Sequence, residues 1–215
     1  EQFPGPLAGR ICEDVGRFHR LVVTKNIVRD VDSPEEHWGI DRELGSGRSA
    51  EAFVLYRHLE HYRKRFERRG GNPPETTGDV LRTSVIENDE EPDWPDWYAV
   101  GGYRIFNGKT QGYPYHYAVL AVGMLIESFF PRHALVRGDI TRRQAEQTAE
   151  WATGVLGRRL PLPLIVDGPR LWKRLIEGFP GSRPLNAAVQ RFRALLVGDD
   201  EAALRALNQV RADPQ

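Results

Sequence analysis

The alternation of hydrophobic and polar positions is most regular in the second half of the chain. The stretch 115–130 is apolar almost all the way round, which predicts a helix that is covered on most of its sides. Thr141 and Gln144 have the Thr-x-x-Gln spacing of a capping box, so we expect a further helix over 141–156. The apolar positions of this second helix are mostly alanines, which predicts close packing against a neighbouring element.

Short apolar runs accompany these helices. Residues 134–137 and 162–166 are each short and mostly apolar, a pattern that favours strands. A helix is predicted after each of them, at 141–156 and at 170–179. Strands that alternate with helices predict a parallel βαβ element.

The first half of the chain mixes strand and helix patterns. Residues 20–31 are rich in β-branched side chains and predict a strand. Apolar residues three and four positions apart over 50–66 predict an amphipathic helix. Residues 70–97 are interpreted as a long internal loop, and Asn107-Gly108 predicts a tight hairpin turn just ahead of the central helix.

Together these elements predict an α/β fold, with a mixed α+β fold as the alternative. We expect a small mixed sheet of about five strands covered by helices, all within residues 1–180. The remaining residues, 181–215, predict a C-terminal helical hairpin packed on the same domain.

The charges of the chain cancel, because 30 Lys and Arg residues are matched by 30 Asp and Glu residues. A neutral chain has no general attraction for nucleic acid or for an anionic membrane, so we expect neither as a partner. No apolar run reaches the length of a membrane span. Arginine supplies 26 of the 30 basic residues, a bias typical of GC-rich bacterial genomes.

Cysteine usage and the first residues bear on localisation. Cys12 is the single cysteine, which excludes an internal disulfide and fits a reducing compartment. The N-terminal residues lack the basic-then-apolar order of a secretory signal, so we expect a cytoplasmic protein. The chain does not begin with Met, which favours an excised domain or a processed product.

A polar segment introduces the central helix. Arg104, Lys109, Gln111 and Tyr113 precede its first turn, where unpaired amides and a partial positive charge favour an anionic ligand. His116 adds an acid or base that works near neutral pH. The alternative is that these residues only start the helix, with His116 bonded to a buried carbonyl.

Asp139 is the second catalytic candidate. It lies between a predicted strand and a predicted helix, where open α/β sheets place ligand-binding side chains. In an enzyme it would orient His116. The alternative is a capping role, since Asp and Thr are favoured at helix starts. The same order of strand, Asp and helix recurs at Asp167, which favours the capping role.

An acidic loop carries two tryptophans, Trp94 and Trp97, beside Asp93 and Asp96. Aromatic side chains beside charge are typical anchors of protein interfaces, so this loop predicts a surface that binds another protein. The alternative is that both indoles pack on the body of the protein and hold the loop in place.

Motifs for metals and cofactors are missing from the sequence. His58 and His61 share the spacing of a helical face, yet no further ligand has matching spacing. Phosphate-binding glycine loops and nucleophile elbows are also missing, so we expect no metal and no cofactor.

These patterns favour a non-enzymatic protein-interaction or regulatory module, such as a bacterial adaptor, an immunity-type protein or a domain of a larger protein. Two alternatives stay open. One is an enzyme of unrecognised class that uses His116 and Asp139, and the other is a sensor of a small anionic ligand. The sequence leaves the oligomeric state open.

Overall fold

The protein is described by a computed structural model. The described residues are 5–24, 37–40, 43–44, 48–49, 53–56, 58, 60–62, 64, 105, 110, 115–178, 184–198, 201, 205 and 207–208.

The helices and strands of these residues follow a simple order along the chain. The α-helices are α1 (Gly5–Thr24), α2 (His116–Phe129), α3 (Arg142–Leu156), α4 (Gly168–Gly178) and α5 (Pro184–Leu195). The strands are β1 (His37–Ile40), β2 (Glu43–Leu44), β3 (Arg48–Ser49) and β4 (Phe53–Tyr56). A 3-10 turn at Leu164–Val166 connects α3 to α4.

The predicted α/β fold is wrong, because the described part of the chain is mainly helical. Strand β1 pairs antiparallel with β4, and β2 pairs antiparallel with β3, as two separate two-stranded pairs. Both pairs precede α2, whereas the βαβ element was predicted after it. The second half is therefore a set of packed helices without the predicted sheet in its described residues.

Glu127 explains why two apolar runs did not become strands. Residues 134–137 are irregular, and Leu164–Val166 form the 3-10 turn. The backbone nitrogens of Val136 and Leu164 donate to the Glu127 carboxylate at 2.7 and 2.8 Å. Buried amides need an acceptor. Here the Glu127 carboxylate provides the acceptors that the carbonyl groups of neighbouring strands would otherwise provide.

Two predictions in the first half also fail, the second of them in part. Residues 20–24 belong to α1 rather than to a strand. Phe53–Tyr56 form β4 rather than the start of a helix, whereas residues 60–62 and 64 are helical, as predicted. In α1, Val15 and Phe18 are buried on one helical face, and this burial outweighs the strand propensity of the β-branched end. Pairing with β1 decides the structure of β4.

Several predictions fall on other residues. The loop at 70–97 and the Asn107-Gly108 turn lie outside the described residues, as does most of the strand predicted at 20–31. They stay predictions, and so does the division of the chain at residue 180.

Helix α2 lies at the centre of the helical part, as its apolar pattern predicted. It packs against α1 on one side and against α3 on another. Its buried apolar residues are Ala118, Val119, Leu120, Ala121, Val122, Met124 and Leu125. On α3, the predicted small face of Ala145, Ala149 and Ala152 is buried, which lets the two helices approach closely.

The capping box at the start of α3 is confirmed. The Gln144 nitrogen donates to the Thr141 hydroxyl at 3.2 Å, and the Thr141 nitrogen donates to the Gln144 side-chain oxygen at 2.8 Å. Gly157 ends the helix with a φ of +70°, a left-handed conformation that glycine adopts without steric cost.

Helices α4 and α5 pack against each other. Trp172 meets Phe192 edge to face, with ring centroids 5.7 Å apart. The Val197 nitrogen donates to the Ile165 carbonyl at 2.7 Å, which ties the end of α5 to the 3-10 turn. Helix α5 is the first helix of the predicted hairpin; the structure describes only scattered residues of the second, so the hairpin stays a prediction.

Candidate ligand-binding site at the start of helix α2

His116 is the first residue of α2 and is only 6 % exposed. Its Nδ1 lies 2.9 Å from the Thr110 hydroxyl. Its Nε2 is buried and has no hydrogen-bond partner among the residues that the structure describes. Burial lowers the pKa of His116 below its usual 6.5, so the imidazole is neutral at pH 7 and offers one unused nitrogen.

The backbone around His116 has the polarity of a helix start. Tyr115 precedes the helix, is fully buried, and forms no side-chain cap to the described first turn. First-turn amides of a helix have no acceptor inside the helix and carry a partial positive charge. A carboxylate or phosphate beside His116 would accept from these amides.

Tyr117 is the neighbour of His116 in the first turn of α2 and is 37 % exposed. Its hydroxyl donates to the Gln147 side-chain oxygen at 3.1 Å, which links the first turn of α2 to the middle of α3. Its ring lies edge-on to His116, with centroids 5.8 Å apart. The imidazole is thus next to both the Thr110 hydroxyl and the Tyr117 ring.

Asp139 is exposed and lies in the segment between α2 and α3, whereas His116 begins α2. The described contacts do not join the two side chains, so the orienting role of Asp139 stays a prediction. Among the described residues, Thr110 is the hydrogen-bond partner of His116.

The remaining candidates from the sequence fall elsewhere. The predicted ligand-binding residues Arg104, Lys109, Gln111 and Tyr113 lie outside the described residues. So do the residues of the acidic tryptophan loop, Asp93, Trp94, Asp96 and Trp97. Their roles stay predictions.

Glu127 is one of the buried polar residues that the sequence patterns did not single out. It is 4 % exposed in the last turns of α2. Desolvation raises its pKa to about 7, against the opposing effects of the Val136 and Leu164 amides and of the Arg170 charge. The available signal was a single carboxylate inside an otherwise apolar helix, because such a group needs buried partners.

His58 and His61 come together, with ring centroids 5.7 Å apart. Within the described ranges, no group of three or more His, Cys, Asp or Glu side chains is placed to hold a metal ion. In the same residues, no helix has both the length and the apolar character that a membrane span requires.

Comparisons of the chain with models of known protein families, with curated proteins and with solved structures found no match.

Proposed function

We propose that this protein is a non-enzymatic, regulatory binding module that takes a small anionic ligand at the start of α2. The observation that carries the proposal is the buried Nε2 of His116, which has no partner in the described structure. Leaving a buried polar nitrogen unpaired costs about 1–3 kcal/mol. A ligand that accepts a hydrogen bond from this nitrogen would recover that energy.

The chemistry around His116 suits binding better than proton transfer. When the Thr110 hydroxyl donates to Nδ1, the proton of the neutral ring is on Nε2 and points to the ligand position. A hydroxyl does not stabilise an imidazolium as a carboxylate does. Burial favours the neutral ring as well, so in this tautomer His116 presents a hydrogen-bond donor beside the helix start.

A thermal-shift screen tests this function. Acetate, succinate and inorganic phosphate are titrated at constant ionic strength, since ligand binding to the native state raises Tm with ligand concentration. We expect at least one of these probes to raise Tm in the wild-type chain. His116→Phe, which keeps a ring and removes both nitrogens, should abolish the rise.

A matched control is His133→Phe. His133 is exposed and follows α2 at its other end, so this variant should keep the response of the wild type. A screen in which no probe raises Tm, or in which His116→Phe responds like the wild type, would contradict the proposal.

The acidic tryptophan loop supports a second proposed function, the binding of a partner protein. The supporting observation is the pattern of Trp94 and Trp97 beside Asp93 and Asp96. Trp94→Ala and Trp97→Ala should leave the urea midpoint unchanged and weaken capture of the partner from the native host. Unchanged capture by both variants would remove this proposal.

A further inference from the structure

Two arginines from different parts of the chain share one aromatic ring at the C-terminal end of α2. The guanidinium carbon of Arg10, in α1, lies 5.9 Å from the centroid of the Phe129 ring. The guanidinium carbon of Arg158, just after α3, lies 5.3 Å from the same centroid. The two guanidinium carbons are therefore at most about 11 Å apart, the sum of these two distances.

The packing of α1 explains why these two side chains meet. Helix α1 packs against both α2 and α3. Phe18 of α1 stacks on Trp151 of α3, with ring centroids 5.5 Å apart. One helical turn earlier in α1, Asp14 pairs with Arg158 at 3.4 Å. Arg10 lies a further turn toward the start of α1, on the same helical face as Asp14, so these contacts bring Arg10 to the end of α3.

The charges of this region do not cancel. Asp14 is buried and pairs with Arg17 and Arg158, each at 3.4 Å. Arg17 also pairs with Glu13 at 3.3 Å. Arg10 is exposed, and none of the described carboxylates forms an ion pair with it. In the described structure, three arginines thus face two carboxylates, and the surplus positive charge lies at Arg10.

We propose that Arg10, Phe129 and Arg158 form a surface that binds an acidic peptide segment of a partner protein. The donors of a guanidinium group lie in its own plane, so an arginine can stay on an aromatic ring and still bind a carboxylate. Contact with the ring restricts both arginines before the partner arrives, which lowers the entropic cost of binding. This surface lies at the opposite end of α2 from His116, so it is separate from the ligand site proposed above.

Exposure and charge favour a peptide over other anions. Arg10 is exposed, and Phe129 and Arg158 are only partly buried, whereas small ligands bind in concave pockets that bury most of their surface. Binding of nucleic acid depends on the neutralisation of several phosphates, which one surplus positive charge does not provide. Side chains at alternate positions of an extended peptide lie on one face about 7 Å apart, so two of its carboxylates can reach both guanidinium groups.

Fluorescence anisotropy tests this surface with a labelled peptide of alternating glutamate and serine residues, four of each. The control peptide has glutamine in place of every glutamate. We expect the glutamate peptide to bind the wild-type chain saturably at low ionic strength, and the glutamine peptide not to bind. Added salt should weaken the binding, because it screens charges that are exposed to solvent.

Arg10→Gln should weaken binding of the glutamate peptide by about fivefold or more, because it removes a charged donor to the carboxylates. Arg10 is exposed, so this variant should fold as the wild type does. Arg143→Gln is the matched control. It removes the same charge from an exposed position in the first turn of α3, at the other end of that helix from Arg158, and it should bind the peptide as the wild type does.

Phe129→Leu separates an arranged pair of arginines from a surface that is merely basic. Leucine keeps an apolar side chain and leaves every charge in place, but it removes the ring that both guanidinium groups contact. We expect this variant to bind the glutamate peptide several-fold more weakly than the wild type, since both arginines would lose their common support.

Absence of saturable binding of the glutamate peptide would overturn the proposal, and so would equal binding of the glutamine peptide. Equal affinities of Arg10→Gln and Arg143→Gln for the glutamate peptide would exclude Arg10 from the surface. A Phe129→Leu variant that binds like the wild type would show that the ring has no part in binding. Tighter binding of a single-stranded DNA oligonucleotide with four phosphates would replace the acidic peptide with nucleic acid as the partner.

Discussion

The carboxylate of Glu127 lies 2.8 Å from the backbone nitrogen of Leu164, which is 37 residues further along the chain. Its other oxygen accepts from the Val136 nitrogen at 2.7 Å. One side chain of the central helix thus satisfies the backbone of two irregular segments. These segments are the 3-10 turn and residues 134–137, so Glu127 organises the backbone on both sides of α3.

Glu127→Gln should destabilise the protein by about 1–3 kcal/mol at pH 5. Glutamine keeps one oxygen acceptor, but its amide group cannot accept the second backbone hydrogen bond. The free energy of unfolding in urea measures the effect. Glu150→Gln is the control. Glu150 is exposed on α3, so this substitution should hardly change the free energy of unfolding. Equal stabilities for the two variants would show that the contacts of Glu127 contribute nothing.

The same carboxylate gives the wild type a defined pH dependence. Its pKa is raised from 4.5 to about 7 in the folded protein, so the folded state binds the proton more tightly than the unfolded state. The resulting stabilisation is complete below pH 4.5 and is lost as the pH rises through about 7. The loss amounts to about 3 kcal/mol in all.

The difference in unfolding free energy between wild type and Glu127→Gln isolates this contribution. It should be largest at pH 5 and should shrink steadily up to pH 8. A difference that grows with pH would mean that the carboxylate is ionised and well stabilised throughout.

His116 should produce a pH dependence of the opposite sign. Burial lowers its pKa below 6.5, so the unfolded chain takes up a proton before the folded one does. We expect the wild type to lose stability relative to His116→Phe as the pH falls below 6.5. Glu127 is present in both chains, so its contribution cancels. Parallel stability curves for the two chains would mean that His116 is accessible to solvent.

Thr141→Ala should destabilise the protein by about 1 kcal/mol, because it removes the side-chain acceptor of the capping box. Thr153→Ala is the matched control. The Thr153 hydroxyl donates to the Ala149 carbonyl inside the same helix, and such a bond adds little to helix stability. Urea unfolding measures the free energy of unfolding of both variants. Equal losses of stability in the two variants would contradict a specific role for the cap.

Ala152→Leu should lower the free energy of unfolding by about 1–3 kcal/mol, because there is no room for a larger side chain in a closely packed core. Ala152 is fully buried on the small face of α3. Ala194→Leu, at an exposed position of α5, should be nearly neutral. The Tm of each variant provides the comparison; an unchanged Tm for Ala152→Leu would show that this face is loosely packed.

The sequence predicted those elements whose determinants are local. Helix α2 follows from an apolar run too long for a strand, and α3 follows from the Thr141–Gln144 capping box. The polar segment before α2 pointed to His116, which the structure places at the helix start with an unused nitrogen.

The predictions that failed depend on contacts between distant residues. A short apolar run such as 134–137 does not reveal whether its amides meet a strand or a side chain, and here they meet Glu127. Strand β4 has helical spacing and becomes a strand only because β1 pairs with it. The burial of Arg191, which is 9 % exposed in α5, was also overlooked, although this residue lies three positions after buried Ala188 and four before buried Leu195, the spacing of an inward-facing position.

The central claim is that His116 is a buried, neutral side chain whose Nε2 receives a ligand. Nitrogen-15 NMR of the histidine side chains at pH 7, with and without acetate, succinate and inorganic phosphate, tests it most directly. The account predicts a neutral His116 ring whose Nε2 resonance shifts with at least one probe while that of His133 does not. A protonated His116, or a resonance that no probe moves, would contradict the account.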